Sequence, residues 1–180
     1  IQRITRDIPS KSIVAGPAKI SNLRQMLWGD MKKENWQCRC IRCREVKGNY
    51  PPSLKLRTGK VTKELKLFRQ DYNASDGKEI FLSWENKNRS KLYSLLRLRI
   101  LENSAIIREV HTYGQLVPVS KKQIAAQHRG LGKKLIKEAE KISKKEFKLN
   151  KISIISGIGV RDYFRKSGYK LKNTYMVKAL

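Results

Sequence analysis

The stretch QHRGLGKKLIKEAEKI, residues 127–142, decides the fold because it joins a glycine turn directly to a strongly periodic helix. An amphipathic helix is predicted because apolar side chains recur at spacings of four, four and three, at Leu131, Leu135, Ala139 and Ile142. A short β-rich run at 116–119 precedes the turn. Glycine lets a ligand approach the backbone closely, and the free N–H groups of a first helical turn bind anions. A phosphate-bearing ligand is therefore predicted.

Two common phosphate-binding motifs do not fit this turn. A Walker loop needs Ser or Thr after Gly-Lys, but the pair at 132–133 is followed by Lys134. A dinucleotide fingerprint needs a third glycine where Leu135 stands. The remaining pattern, Gln-x-x-Gly-x-Gly over 127–132, resembles the pyrophosphate-binding loop of the GCN5-related N-acetyltransferase superfamily, which holds coenzyme A. An ordinary glycine-rich turn before a surface helix is the alternative.

The charge of the chain points to a polyanionic partner. Its 180 residues include 41 Lys and Arg against 15 Asp and Glu, a net charge of +26. This excess is larger than solubility requires and predicts nucleic acid bound through its phosphates. The alternative is a lysine-rich solvated surface of the kind found in heat-adapted proteins, but such surfaces balance Lys with Glu. No apolar run could span a membrane, so a cytoplasmic protein without a membrane partner is expected.

Three cysteines form one short cluster, Cys38, Cys40 and Cys43. An odd number of cysteines so close together is a poor disulfide framework and is better suited to a structural zinc ion in a reducing compartment. A tetrahedral site needs four ligands, and the two histidines, His111 and His128, are predicted to lie in another domain. The fourth ligand would come from elsewhere in the protein or from solvent. Three free thiols are the alternative.

The first third of the chain has the pattern of a connector. An extended basic segment opens it, because Pro9 and Pro17 break any helix. A helix is predicted over 21–35 with an apolar face of Leu23, Met26, Leu27 and Met31. Residues 45–59, after the cysteines, contain Gly and a Pro pair and are predicted to be a linker or loop. We expect further chain to precede residue 1.

Strand patterns dominate from Lys63 onward. Apolar and polar residues alternate in about four antiparallel strands, with turns predicted at 75–77, 85–89 and 102–104. After the long helix, a buried strand is predicted over 151–159. A short helix ended by Gly168 and a final strand over 170–180 follow.

Several stretches together resemble one family, the catalytic subunit of Elongator, known as elongator protein 3. The acetyltransferase-domain matches are REVHTYGQLVPV, QHRGLGKKLIKEAE, ISGIGVRDYFRKSGY and YMVK, at 108–119, 127–140, 155–169 and 175–178. RDIP, the cysteine cluster, RQDYNASDGKEIFLSWEN and LLRLR extend the resemblance to nearly all 180 residues. It implies an α/β (α+β) fold of the GCN5-related N-acetyltransferase type with a mixed, splayed central sheet. The connector would cover 1–62 and the acetyltransferase domain 63–180.

The resemblance also implies a function. Family members modify uridine 34 of tRNA, building a carboxymethyl-type group at carbon 5 from acetyl-CoA with S-adenosylmethionine. Their radical domain, which carries S-adenosylmethionine and a 4Fe-4S cluster, has no counterpart in these residues. The expected partners are tRNA through its anticodon region, the radical domain of the full-length protein and a second copy of the chain. A protein lysine N-acetyltransferase and a non-catalytic zinc-stabilised RNA-binding module are the alternatives.

The match implies roles for individual residues. Acetyl-CoA contacts are expected from Glu109, Val110, His111, Thr112, Gln127, Gly130, Leu131, Gly132, Lys133 and Phe164. Where the family usually has Tyr-Tyr, this chain has Tyr163 followed by Phe164, so Tyr163 is the only local hydroxyl that could donate a proton.

Glu109 and His111 share one face of a strand and could activate water for thioester hydrolysis. The alternatives are a salt bridge from Glu109 to Arg108 or Arg129 and a satisfied core position for His111. Phosphate contacts to tRNA are predicted for Arg3, Arg6, Lys11, Arg39, Arg42 and Arg44.

Overall fold

The computed structural model describes Val14 and residues 23–46, 65–114 and 130–180. The chain divides into two compact units, Ile1–Glu45 and Val46–Leu180. The predicted domain boundary at 62–63, most of the predicted linker and the β-rich run at 116–119 lie outside the described residues and remain predictions. Among the described residues, no helix combines the length and apolar character needed to cross a bilayer.

The first unit contains helix α1, Leu23–Lys33, and the short helix α2, Ile41–Arg44. The predicted helix is therefore confirmed, and its end has a clear cause. Asn35 adopts a left-handed conformation with φ 56°, and the N–H of Trp36 donates to the carbonyl of Met31 at 2.7 Å. This is the six-to-one bond of a Schellman cap. The predicted apolar face is not a buried one, because no residue of α1 is buried.

The second unit is built on a seven-stranded mixed sheet, which confirms the predicted α/β fold class. Its strands run in the order β1-β2-β3-β4-β5-β7-β6. All neighbours are antiparallel except β4 and β5, which are parallel. The strands are β1 Leu65–Ala74, β2 Gly77–Asn86, β3 Leu92–Leu101, β4 Ser104–Thr112, β5 Lys151–Ile155, β6 Lys170–Lys172 and β7 Tyr175–Ala179.

Two of the predicted hairpin turns are confirmed and one needs correction. Ser75 and Asp76, with φ 49° and 58°, form the two-residue turn between β1 and β2. Glu102 and Asn103 join β3 to β4. The turn predicted at 85–89 begins too early, because Glu85 is a buried residue of β2. Its carboxylate accepts hydrogen bonds from Ser83 at 2.7 Å and Arg89 at 3.2 Å, which allows the charge to remain in the sheet.

Helix α3, Leu131–Lys145, covers one face of the sheet and packs on β2, β3, β4 and β5. Its predicted apolar stripe is confirmed, since Leu131, Leu135, Ala139 and Ile142 are all buried. Most of the stripe joins the core formed with the inward side chains of the sheet. Hydrophobic burial therefore fixes the rotation of α3 and the direction in which its first turn points.

The C-terminal elements differ from the prediction in two places. The strand predicted over 151–159 ends at Ile155, and a 3-10 turn, Ile158–Val160, leads into helix α4, Arg161–Arg165. The single strand predicted over 170–180 is the hairpin β6–β7. Asn173 turns the chain with φ 54°, a conformation that Asn tolerates better than most residues. Gly168 ends α4 with φ 87°, as predicted.

An exposed ion cluster ties β1 to the end of α3. The guanidinium of Arg69 donates to Asp71 and to Glu146, each at 2.7 Å. These hydrogen bonds hold the pKa of both carboxyl groups below their ordinary values. Because their folded-state pKa values are depressed, the stabilisation is present above the unfolded values, about 4. It is lost as the pH falls through the lower folded values.

We expect Arg69→Gln to lower the free energy of unfolding by about 1 kcal/mol at neutral pH, a modest amount because the groups are partly exposed. The deficit should shrink as the pH falls below the unfolded values of about 4, because the carboxyl groups then take up protons and lose the ion pair with Arg69. Denaturant unfolding at neutral and at acidic pH measures it. Lys66→Gln, which removes an exposed cation from the same strand, is the control. An equal loss in Lys66→Gln would contradict the assignment.

Candidate functional site

A gap opens in the sheet where β4 leaves β5. The two strands pair only through Ala105–Ile107 and Ile152–Ile154, although β4 continues to Thr112. The register between β3 and β4 shifts at this point, since Arg97 pairs with Glu109 and Leu98 with Ile107. The extra residue, Arg108, is a β-bulge, which bends its strand and re-aims the side chains beyond it.

The far half of β4 presents backbone groups to this gap. The N–H of Tyr113 donates to Tyr93 of β3 at 2.9 Å, so the backbone groups of residue 113 point towards β3. Alternate residues of an antiparallel strand point their N–H and C=O groups to opposite sides. Val110 and Thr112 therefore direct theirs to the β5 side, where pairing among the described residues ends at Ile107. An extended ligand with amide groups could complete this edge as a strand would.

The N-terminus of α3 supplies a positive end to the site. Gly130 caps the helix in the left-handed conformation, with φ 68°, and makes no side-chain capping hydrogen bond. The first turn contains no acidic residue, and the first helical hydrogen bond runs from Lys134 N–H to the Gly130 carbonyl at 2.9 Å. The preceding N–H groups and the macrodipole make this end suited to an anion.

Gly132, in the first turn, lies against β4 and α4. A Cβ atom there would lie 3.4 Å from both the Thr112 hydroxyl and the Tyr163 hydroxyl. The Lys133 ammonium is 5.9 Å from the centroid of the Tyr163 ring. Burial raises the pKa of Tyr163, so the phenol keeps its proton at neutral and mildly alkaline pH. The structure thus places Gly132, Lys133, Thr112 and Tyr163 together.

Glu109 and His111 lie on the other face of β4. Val110 packs against the core on the α3 side and Thr112 faces Gly132, so the alternating residues point away from α3. The rings of His111 and Tyr113 are 4.4 Å apart between centroids on that face. The predicted catalytic residues therefore form two groups, with Tyr163 on one face and Glu109 and His111 on the other. Both faces border the gap.

The alternatives considered for these two residues are corrected by the structure. Glu109 does form an ion pair, but its partner is Arg97 of β3, at 3.6 Å. Arg108, the predicted partner, instead pairs with Glu79 at 2.7 Å because the bulge turns it elsewhere. Arg129, the other suggested partner, lies outside the described residues. A core position for His111 is wrong, since its side chain is exposed.

Phe164 belongs to the hydrophobic core rather than to the open part of the gap. It is 4% exposed and makes edge contacts with Tyr163 and Tyr169, at centroid distances of 5.1 and 6.1 Å. A hydroxyl at this position would have to be buried, which costs free energy unless it finds a hydrogen-bond partner. The expected contact of Phe164 with the acyl donor stays a prediction. Gln127 lies outside the described residues.

Ser94 is a site residue that the sequence did not reveal. Its buried hydroxyl donates to the carbonyl of His111 at 2.8 Å and lies 3.1 Å from the Thr112 hydroxyl. It therefore fixes β4 beside the gap. The only signal was a small polar residue among apolar neighbours in strand β3.

The three cysteines of the first unit form one cluster. The sulfur atoms of Cys38, Cys40 and Cys43 all lie within 4.8 Å of one another. Burial alone would raise the pKa of Cys40, but hydrogen bonds from Cys38, Cys43 and the backbone bring it below the ordinary value. Burial and the neighbouring thiols raise the pKa of Cys43 to about 11. Three convergent thiols are a donor set that fits zinc, whose binding would release their protons.

The predicted phosphate-binding arginines are placed only in part. Arg42 pairs with Glu45, and Arg44 donates through Nε to the carbonyl of Arg39 at 2.9 Å, so all three lie around the cysteine cluster. Arg3, Arg6 and Lys11 lie outside the described residues.

Comparisons with known proteins identify the family. No family model matches the chain. The chain is 43% identical to the tRNA uridine(34) acetyltransferase of Methanocaldococcus jannaschii, with 99% of the chain and 34% of that protein aligned. It is 40% identical to Elongator complex protein 3 of Bos taurus, with 100% of the chain and 34% of that protein aligned. The chain belongs to the elongator protein 3 family.

A solved structure agrees with this membership in the family. The archaeal Elp3 of Methanocaldococcus infernus, with an N-terminal deletion, has 42% sequence identity and a TM-score of 0.77. The alignment covers 99% of the chain and 43% of that structure. The chain spans about a third of the length of the curated elongator protein 3 relatives it matches.

Proposed function

We propose that the second unit binds acetyl-CoA and transfers or hydrolyses its acetyl group within a tRNA uridine(34)-modifying enzyme. The supporting observation is that the N-terminus of α3, which has no side-chain cap and no acidic residue in its first turn, lies beside the part of β4 that has no strand partner on the β5 side among the described residues. The names of the 43% and 40% identical relatives support the acyltransferase class and tRNA as the substrate. The full reaction belongs to a longer protein, as the relatives are about three times the length of the aligned part.

The binding roles follow from the geometry of the site. The first-turn N–H groups of Leu131, Gly132 and Lys133 would hold the diphosphate of the acyl donor. The amides of its extended arm would pair with the backbone of Val110 and Thr112 across the gap. The thioester would then lie in the gap between the strands, within reach of both faces of β4.

The chemical roles divide between the two faces. Loss of the thiolate from a thioester is assisted when a neighbouring acid supplies a proton, and Tyr163 is the protonated hydroxyl that the structure places beside Gly132. On the other face, Glu109 and His111 could orient the attacking water or acceptor. The ion pair with Arg97 would hold the Glu109 carboxylate in position on this face.

The remaining parts of the activity are proposed from the family. S-adenosylmethionine, a 4Fe-4S cluster and the carboxymethyl-type product would belong to the radical domain of the whole protein. Zinc held by Cys38, Cys40 and Cys43 would order the first unit, and its arginines would contact tRNA phosphates near the anticodon. A second copy of the chain as a partner stays a prediction.

The test is acetyl-CoA hydrolysis measured with tRNA, with a histone-tail peptide and with neither. We expect turnover that depends on tRNA. Tyr163→Phe should lower the rate about a hundredfold while leaving the Kd for acetyl-CoA unchanged, because only the proton donor is lost. Tyr175→Phe, at another exposed tyrosine, is the matched control. Peptide acetylation without a response to tRNA would favour a lysine acetyltransferase, and no acetyl-CoA affinity would refute the proposal.

A further inference from the structure

Two large aromatic side chains of the first unit are exposed. Trp28 on α1 is 46% exposed, and Trp36, just after the helix, is 67% exposed. Indole rings carry a large apolar area that is normally buried or used in contacts. By contrast, Trp84, the third tryptophan of the chain, packs against the hydrophobic core of the second unit. The exposure of Trp28 and Trp36 therefore indicates a ligand-binding surface on the first unit.

The backbone holds Trp36 in place. Asn35 in its left-handed conformation and the hydrogen bond from Trp36 N–H to the Met31 carbonyl, at 2.7 Å, cap α1 immediately before the ring. Cys38 follows two residues later. A side chain with two rotatable bonds on a fixed backbone loses little conformational entropy when it binds a ligand.

A guanidinium group lies over one of the two rings, and the first unit carries a positive charge excess. The guanidinium of Arg24 lies 5.0 Å from the Trp28 ring centroid, and its Nη2 atom lies 3.9 Å from Cys43 Sγ. Residues 23–46 contain six Lys and Arg against three Asp and Glu, a formal excess of three positive charges. Of the acidic groups, Asp30 pairs with Lys33 and Glu45 with Arg42. The surface therefore complements a polyanion that also has flat apolar faces.

We propose that Trp36, together with Trp28, stacks on unpaired bases of RNA while the arginines around the cysteine cluster contact its phosphates. The inference rests on the proposed tRNA substrate. It assigns the binding of unpaired tRNA nucleotides to the first unit. Aromatic platforms beside guanidinium groups are the common means of binding unpaired nucleotides, because every base has a π face. A net charge of +26 favours this ligand over a basic protein surface.

Tryptophan fluorescence tests the proposal directly. In a Trp84→Phe background, only Trp28 and Trp36 emit. We expect an unstructured oligouridylate to quench this emission, because stacked bases quench indole. Heparin, a polyanion without bases, should bind without quenching. Trp36→Ala should weaken oligouridylate binding about tenfold to a hundredfold, the range measured for loss of one base–aromatic stack.

Three variants separate stacking from other contacts. Trp36→Phe keeps an aromatic face and should retain most of the affinity. Met26→Ala removes exposed apolar area from the same unit without removing a π face and should leave the affinity unchanged. Arg39→Ala should flatten the salt dependence of binding by about one phosphate contact without abolishing the quenching.

Several results would overturn the inference. They are equal oligouridylate affinity in Trp36→Ala and the unaltered chain, an equal loss in Met26→Ala, or equal quenching by heparin. Should Trp36→Ala fail to fold, Trp36→Leu against Trp36→Phe makes the same comparison. Titration of each variant with acetyl-CoA keeps the two proposals apart. Loss of acetyl-CoA binding in every form would refute the acyltransferase proposal and leave the stacking result standing.

Discussion

Gly132→Glu is expected to weaken acetyl-CoA binding by at least about a hundredfold, or roughly 2.7 kcal/mol. The new side chain would start 3.4 Å from the hydroxyl groups of Thr112 and Tyr163 and extend into the space before the helix N-terminus. Its carboxylate would occupy the positive end of α3 in place of a phosphate. It would also repel the diphosphate that remains. Calorimetric titration with acetyl-CoA measures the loss.

Two variants serve as controls for this effect. Gly132→Ala adds only the Cβ atom, whose contacts at 3.4 Å are ordinary van der Waals distances, so affinity should change little. Gly29→Glu adds the same charge to α1, where a Cβ atom would meet nothing within 4 Å. Unaltered acetyl-CoA affinity in Gly132→Glu, with the fold intact by circular dichroism, would remove the diphosphate from this turn.

Cys40→Ser is expected to abolish zinc binding and to unfold the first unit. Structural zinc sites in small domains contribute on the order of 10 kcal/mol of apparent binding free energy at neutral pH, which far exceeds what two short helices can supply. No residue of α1 or α2 is buried, so the described part of the first unit has little hydrophobic core to compensate. We expect about one zinc ion per unaltered chain and almost none in the variant.

Elemental analysis and fluorescence test this second prediction together. In the Trp84→Phe background, the emission of Trp28 and Trp36 reports on the first unit alone. Gln37→Ser, at an exposed position next to Cys38 that offers no thiol, should keep both the metal and the emission. Zinc well below one ion per unaltered chain, in protein never exposed to chelators, would favour three free thiols.

Local sequence patterns predicted the elements whose cause is local. The stripe of α3 was readable because its burial period is that of a single helix, and the turn at Ser75 was readable because Asp-Gly follows it. The hairpin at Asn173 was missed because the flanking strands are too short to show alternation. The early turn at Glu85 was a similar error. A buried charged residue such as Glu85 resembles a loop residue in the sequence, and only its hydrogen-bond partners distinguish the two.

The site was predictable at its glycine turn and much less so along β4. The β-bulge directs the side chain of Arg108 to Glu79 and leaves Glu109 opposite Arg97. No periodicity in the sequence reveals such a change of register. The hydroxyl of Ser94 acts on a residue 17 positions away, which only the pairing of β3 with β4 brings near. Long-range pairing decides these contacts, whereas propensity reports mainly on neighbours in sequence.

The short contact between β4 and β5 has a mechanical consequence. Among the described residues, only Ala105–Ile107 and Ile152–Ile154 link the four-stranded part of the sheet to the three-stranded part by ladder bonds, while α3 packs on both. Directional hydrogen bonds resist sliding, but apolar packing against a helix is non-directional and allows small shear. The two parts of the sheet can therefore shift relative to each other as rigid bodies, with α3 packed against both. Such a shift changes the width of the gap between β4 and β5 to fit the bound ligand, while the ladder hydrogen bonds within each part stay intact.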